Sequence, residues 1–165
     1  MKENDLDNND VQKLMQGLLK LDWDQLINNS TQINNSIECI KELIDCNLFN
    51  VSILTHVTCW QEAKIKLRYF DKLIPGLRVI PVYKPVSKAN WITSSNDILI
   101  DDFKGNLRKW KAAGGIGVRF VKEKKEEDTE FIEITSLLEI IDLVKDGQIP
   151  KREEKVKVIK KINYL

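Results

Sequence analysis

Short apolar runs alternate with segments of helical periodicity through the middle of the chain, and this alternation constrains the fold more than any other feature. Such runs are typical of buried strands, and apolar spacings of three and four residues between them predict helices. Strands that alternate with helices form parallel sheets, because each right-handed crossover places a helix on one face. The sequence therefore predicts a three-layer α/β fold, with a mostly parallel central sheet and helices on both faces. The predicted strands are VSILT (51–55), LRVIPV (77–82), DILI (97–100), GVRF (117–120) and FIEI (131–134).

Helix-start signals support the same interpretation. In a capping box, a Ser, Thr or Asn precedes a Glu or Gln by three residues, and the two side chains satisfy the first free N–H groups of the helix. Thr58 with Gln61, and Ser136 with Glu139, fit this pattern at the expected helix starts. Helical spacing also predicts that Trp60 lies in the core.

Composition and charge exclude several classes of protein. The 165 residues carry a formal net charge of +1, which indicates neither a nucleic-acid partner nor an acidic one. No apolar stretch is long enough to span a membrane, and the first residues lack the apolar core of a signal peptide. The cysteines are odd in number and lack CxxC spacing, which favours reduced thiols and a cytoplasmic location. They are Cys39, Cys46 and Cys59.

The pattern divides the chain into three segments. Residues 1–32 are expected to form an N-terminal helical segment, residues 33–146 the α/β core, and residues 147–165 a basic tail. Within the tail, Val156 to Ile162 is rich in β-branched residues and could add a strand to the sheet or form a basic helix. The sequence gives no indication of the oligomeric state.

Chemically useful side chains follow three of the predicted strands. Thr55 ends one strand, Lys84 and Lys88 follow the next, and Asp101 and Asp102 follow a third. The carboxyl ends of parallel strands meet at one edge of a sheet, where ligands bind. Adjacent carboxylates are tolerable beside a hard cation such as Mg²⁺, and a cation, a lysine and a hydroxyl together suit a phosphate group. The sequence therefore predicts a magnesium-dependent site for a phosphate group, such as that of a phosphorylated small molecule.

The order of these residues resembles the haloacid dehalogenase (HAD) superfamily, in particular its 5′(3′)-deoxyribonucleotidase-like branch. ILTHV resembles motif II, VSKANW resembles the motif III segment, and ILIDDFKGNLRKWKAAGGIGVRF resembles motif IV with its following helix. The resemblance implies that Thr55 and Lys88 bind phosphate, with Lys84 as the alternative lysine. It also implies that Asp101 is a Mg²⁺ ligand and that Asp102 supports the metal site.

The first motif of this superfamily, D-x-D-x-[T/V] after the first strand, is missing or degenerate. Its first aspartate forms an aspartyl-phosphate, and its second acts as general acid and then as general base. Asp22 and Asp24 are the closest candidates, although Leu26 replaces the expected Thr or Val and the flanking pattern is helical. Asp5 and Asp7 form a second candidate pair, with no predicted strand before them.

The resemblance thus implies a HAD-like, Rossmann-type phosphohydrolase with a minimal or absent cap. The expected reaction is Mg²⁺-dependent hydrolysis of a phosphomonoester, of nucleotidase type. The alternative is a catalytically inactive domain or fragment that lacks the nucleophilic aspartate and binds a phosphate ligand or a protein. The position of Asp22 distinguishes them, because a nucleophile must lie at a rigid strand end.

Overall fold

In the computed structural model, residues 8–124 and 130–149 are described, and they form α-helices and parallel β-strands. This confirms the predicted α/β class. No helix in these two ranges is long and apolar enough to cross a membrane. The helices are α1 (Asn8–Leu19), α2 (Trp23–Asn28), α3 (Ser36–Asp45), α4 (Trp60–Leu73), α5 (Lys104–Ala112) and α6 (Glu139–Lys145), with a short 3-10 helix at Lys88–Trp91. The strands are β1 (Ser52–Val57), β2 (Arg78–Tyr83), β3 (Ile98–Asp101), β4 (Ile116–Phe120) and β5 (Ile132–Ile134).

The described strands form two parallel sheets, whereas the sequence predicts one. One sheet has the order β1–β2, with Thr55 opposite Pro81. The other has the order β3–β4–β5, with Asp101 opposite Arg119. The resemblance implies a further strand early in the chain, but residues 8–50 contain only helices and connecting segments. None of these residues therefore fills the expected first-strand position.

The chain divides into two compact units, each built around one sheet. Among the described residues, unit 1 comprises residues 8–38 together with Val51–Asn90, and unit 2 comprises Cys39–Asn50 with residues 91–124 and 130–149. These boundaries do not coincide with the predicted segments 1–32 and 33–146. Most of the predicted tail, including the candidate strand from Val156 to Ile162, lies outside the described residues.

In unit 1, α4 packs on β1 and β2. The buried side chains of this layer include Val57, Ala63 and Val82, which are 0%, 0% and 2% exposed. The prediction that Trp60 lies in the core is wrong, because its side chain is 64% exposed. Cys59, Glu62 and Ala63 form the buried positions at this end of the helix. The helical spacing therefore does not hold at Trp60, the first residue of α4.

In unit 2, α5 packs on β3 and β4. The indole N–H of the buried Trp110 donates to the carbonyl oxygen of Asp97, over 3.0 Å, which fixes the ring beside the start of β3. Gly114 has a φ of +94°, so it ends the helix in the left-handed region. A Cβ on Gly115 would clash with Trp110 Nε1, so glycine lets the chain pass close to the ring. The double glycine thus turns the chain and admits a close ring contact.

Candidate phosphate-binding and metal-binding residues

Asp101 is the last residue of β3, and its residue exposure is only 8%. Its Oδ1 accepts a hydrogen bond from the backbone N–H of Phe103, over 2.9 Å. Its Oδ2 accepts one from the side-chain amide of Asn106 in the first turn of α5, over 3.0 Å. The carboxylate is therefore held by the strand end and by the helix that follows it. The structure agrees with the sequence in placing Asp101 at the carboxyl end of a strand.

Asp102 follows directly and is exposed. Carboxylate oxygens are among the ligands that Mg²⁺ takes from proteins. Among residues 8–124 and 130–149, no three or more His, Cys, Asp or Glu side chains form a group that could hold a metal ion. Mg²⁺ usually keeps several waters and takes only one or two protein carboxylates, with substrate phosphate completing its shell. Asp101 and Asp102 fit that kind of site and do not form an all-protein metal cage.

Thr55 lies within β1, two residues before the strand ends at Val57. The predicted strand ends at Thr55, whereas in the structure the pairing continues and His56 lies opposite Val82. The hydroxyl of Thr55 accepts a hydrogen bond from Lys66 Nζ in α4, over 3.2 Å. The polar neighbour of this hydroxyl is thus a lysine of the following helix, which the sequence analysis did not identify.

Lys66 is held by three acceptors. Besides Thr55, its Nζ donates to the carbonyl oxygen of His56 over 2.9 Å and to Glu62 Oε1 over 2.8 Å. The other oxygen of Glu62 accepts from the backbone N–H and the hydroxyl of Thr58, each over 2.7 Å. The side chain that accepts hydrogen bonds from Thr58 at the start of α4 is therefore that of Glu62, not that of Gln61 as predicted.

The Glu62 carboxylate stays charged although its residue exposure is only 5%. Burial alone raises its pKa, but the hydrogen bonds from Lys66 and from the N–H and hydroxyl of Thr58, with the charge of Lys66, outweigh burial and lower the pKa below its ordinary value. The side chain of Lys66 is 22% exposed. An ion pair this sheltered fixes the positions of both groups.

The candidate lysines lie beyond the end of β2. Lys84 follows the last residue of β2 and is exposed, and its backbone N–H donates to the carbonyl oxygen of Val57 over 3.1 Å. Lys88 begins the 3-10 helix and is partly exposed. His56 Nε2 lies 3.3 Å from the carbonyl oxygen of Val86, which ties the segment between the lysines to β1. Both lysines are therefore near the carboxyl end of the β1–β2 sheet, as the sequence predicts.

Asp22 and Asp24 lie at the start of a helix. Asp22 is the N-cap of α2, and its Oδ1 accepts from the backbone N–H of Gln25 over 3.0 Å. Asp24 occupies the first turn, and both residues are exposed. The residues between α1 and Asp22 form a turn, stabilised by a 3.1 Å hydrogen bond from the Trp23 indole to the Leu18 carbonyl oxygen. No strand precedes Asp22 in the described chain from residue 8 onward. Asp5 and Asp7 lie outside the described residues.

The candidate residues are distributed over both units. Unit 1 contains Thr55, Lys84 and Lys88, and unit 2 contains Asp101 and Asp102. Each unit thus contributes one part of the predicted chemistry: a hydroxyl with lysines, or a pair of carboxylates.

The residues that the sequence analysis missed are Lys66, Glu62 and Asn106. A spacing of four residues between Glu62 and Lys66 is a recognisable helical ion-pair signal, but it does not reveal the contact with Thr55. Asn106 follows Asp101 by five residues, and its role depends on how α5 starts.

Comparison with family models, with curated proteins and with solved structures finds no match to this chain.

Proposed function

We propose that this chain is a magnesium-dependent phosphate-binding domain with a three-layer, HAD-like fold. Its ligand is a phosphorylated small molecule, with a nucleotide as one candidate. The observation that carries the proposal is the geometry of Asp101, a buried carboxylate at the end of a parallel strand whose two oxygens are held by Phe103 and Asn106. A carboxylate oriented in this way costs little reorganisation when it binds a cation.

Each group in the proposal has one role. Asp101 coordinates the metal ion through its oriented carboxylate, and the exposed Asp102 adds a second carboxylate. Bound Mg²⁺ would supply positive charge at the end of β3. The Thr55 hydroxyl donates to a phosphate oxygen, and Lys88 offers an ammonium group to the same anion. Lys84 is the alternative lysine.

Hydrolysis of a phosphomonoester, of nucleotidase type, is the second candidate function. The order Thr55, Lys88, Asp101 along the chain favours it, through the resemblance to the HAD superfamily. The reaction also needs a nucleophilic aspartate at a strand end, and the helical position of Asp22 argues against that role for the Asp22–Asp24 pair. Asp5 or Asp7, or a strand from another polypeptide, would then supply the nucleophile. The inactive-domain alternative needs none.

Calorimetric titration tests the binding proposal. Wild type is titrated with MgCl₂ and then with inorganic phosphate, with and without Mg²⁺. Asp101→Asn is expected to weaken Mg²⁺ binding by roughly 10- to 100-fold. Asp71→Asn, an exposed acid of α4, is the matched control and should bind Mg²⁺ like wild type. Equal Mg²⁺ affinity in the Asp101→Asn and Asp71→Asn variants would refute the metal site.

Phosphate release separates the two functions. Wild type, Asp101→Asn and Asp22→Asn are incubated with an aryl phosphate and with deoxynucleoside monophosphates, in the presence of Mg²⁺. Turnover by wild type that Asp101→Asn abolishes and Asp22→Asn retains would establish a hydrolase whose nucleophile lies elsewhere. Binding of phosphate without turnover would establish the inactive domain.

A further inference from the structure

The contacts of Lys66 determine how the Thr55 hydroxyl can act. An ammonium group has three protons and no acceptor. Lys66 Nζ has three acceptors in reach: Glu62 Oε1 at 2.8 Å, the His56 carbonyl oxygen at 2.9 Å and Thr55 Oγ1 at 3.2 Å. All three protons are therefore directed at protein atoms, and the Thr55 oxygen must be an acceptor in this contact.

This assignment leaves the hydroxyl proton of Thr55 for another acceptor. The Thr55 hydroxyl donates to the carbonyl oxygen of His56 over 3.5 Å, the outer limit of a hydrogen bond. That same carbonyl already accepts from Lys66 at 2.9 Å. The hydroxyl thus has a weak internal partner, and a negatively charged oxygen would replace it with a stronger one.

We infer that Lys66 is a positioning residue for phosphate binding: by donating to Thr55 Oγ1, it turns the Thr55 hydroxyl into a donor directed at a phosphate oxygen. The inference rests on the proposed function. Lys66 does not contact the ligand, because its own protons are engaged. The rigid pair with Glu62 keeps the Lys66 ammonium in place.

The same contacts indicate which chemical properties a residue needs in order to replace Lys66. The Lys66 side chain is 22% exposed and Glu62 only 7%, so the pair is sheltered and the ammonium cannot move far to find other acceptors. Arginine keeps the positive charge and can donate to more than one acceptor, whereas glutamine keeps a donor but loses the charge. The series lysine, arginine, glutamine therefore tests the charged donor at this position.

A double-mutant cycle on phosphate affinity tests the inference. Inorganic phosphate is titrated into wild type, Thr55→Val, Lys66→Gln and the Thr55→Val/Lys66→Gln double variant, all with saturating Mg²⁺. Each single change should weaken binding by roughly tenfold, the loss of one hydrogen bond to a charged group. In the Thr55→Val background, Lys66→Gln should change the affinity by less than about twofold, because Lys66 acts through the hydroxyl that is already gone.

Further variants exclude a purely structural effect. Lys64, an exposed lysine of the same helix, gives the matched control Lys64→Gln, which should bind phosphate like wild type. Lys66→Arg should recover most of the affinity that Lys66→Gln loses. Because Lys66→Gln leaves the Glu62 charge buried without its partner, Glu62→Gln/Lys66→Gln removes both charges, and it should show the same weakened phosphate binding if it is folded at the assay temperature.

Each outcome decides the question. Effects of Thr55→Val and Lys66→Gln that multiply in the double variant would overturn the inference, because the two residues would then act independently. Equal affinities of Lys66→Gln and Lys64→Gln would overturn it as well, while a loss in Thr55→Val would leave the proposed function intact. Failure of wild type to bind phosphate would refute the proposed function, and the inference would fall with it.

Discussion

The buried carboxylate of Glu62 should contribute strongly to the stability of unit 1, and Glu62→Gln measures that contribution. The substitution preserves shape but removes the charge that faces Lys66 at 2.8 Å and receives two hydrogen bonds from Thr58 at 2.7 Å. Breaking a fully buried ion pair costs about 3–5 kcal/mol. Because the Lys66 side chain is 22% exposed and regains some hydration, we expect a smaller loss, about 2–3 kcal/mol.

The assay is urea denaturation, followed through NMR signals of residues in unit 1. Glu42→Gln, an exposed glutamate of α3, is the control and should change the free energy of unfolding by less than about 0.5 kcal/mol. The pKa of Glu62 is lowered in the folded protein, so its contribution is present above the ordinary value of 4.5 and is lost as the pH falls below it. Surface substitutions usually change the free energy of unfolding by less than about 0.5 kcal/mol. If the unfolding free energies of Glu62→Gln and Glu42→Gln differ by no more than this at pH 7, the account is refuted. A difference that grew on acidification would refute it too.

Two further predictions concern unit 2. Burial raises the pKa of Glu139, but hydrogen bonds from Lys124, Thr135 and Ser136 outweigh it and lower the pKa from 4.5 to about 2. Glu139→Gln should therefore lower the free energy of unfolding by about 1–2 kcal/mol at pH 7. In urea denaturation, this loss relative to wild type should disappear as the pH falls from 4.5 toward 2. A loss that stayed constant over this pH range would contradict the prediction. Gly115→Ala should cost about 1–3 kcal/mol, because the new Cβ would meet the buried Trp110 ring; wild-type stability in thermal unfolding would show that the ring can shift.

The positions of the strands and of Asp101 were predictable because they depend on local pattern. An apolar run that ends in an acid, followed by a helical segment, was enough to place Asp101 at the end of β3. Glu139 likewise bonds to the N–H of Ser136 over 2.9 Å, which is one half of the predicted capping box. These features are decided by residues close together in the chain.

The features that sequence reasoning missed depend on packing between distant residues. The extension of β1 to Val57 depends on pairing with β2, which continues through Val57 opposite Tyr83. The contact between Lys66 and Thr55 spans 11 positions and requires the orientation of α4 on its sheet. The arrangement of the described strands as two sheets is also non-local, and no run of apolar residues indicates which strand pairs with which.

In the described part of the chain, the sheet of unit 1 has two strands, and this has a consequence for how the chain opens. Two paired strands are marginally stable alone, so the β1–β2 ladder depends on the side chains of α4, whereas β4 has a hydrogen-bonded neighbour on each side. Backbone amides of β1 and β2 should then exchange with solvent through smaller, more frequent openings than those of β4. The helix α3, which contains the boundary between the units at Glu38 and Cys39, would connect segments that open at different free energies. A single melting temperature would then not describe the unfolding of either unit.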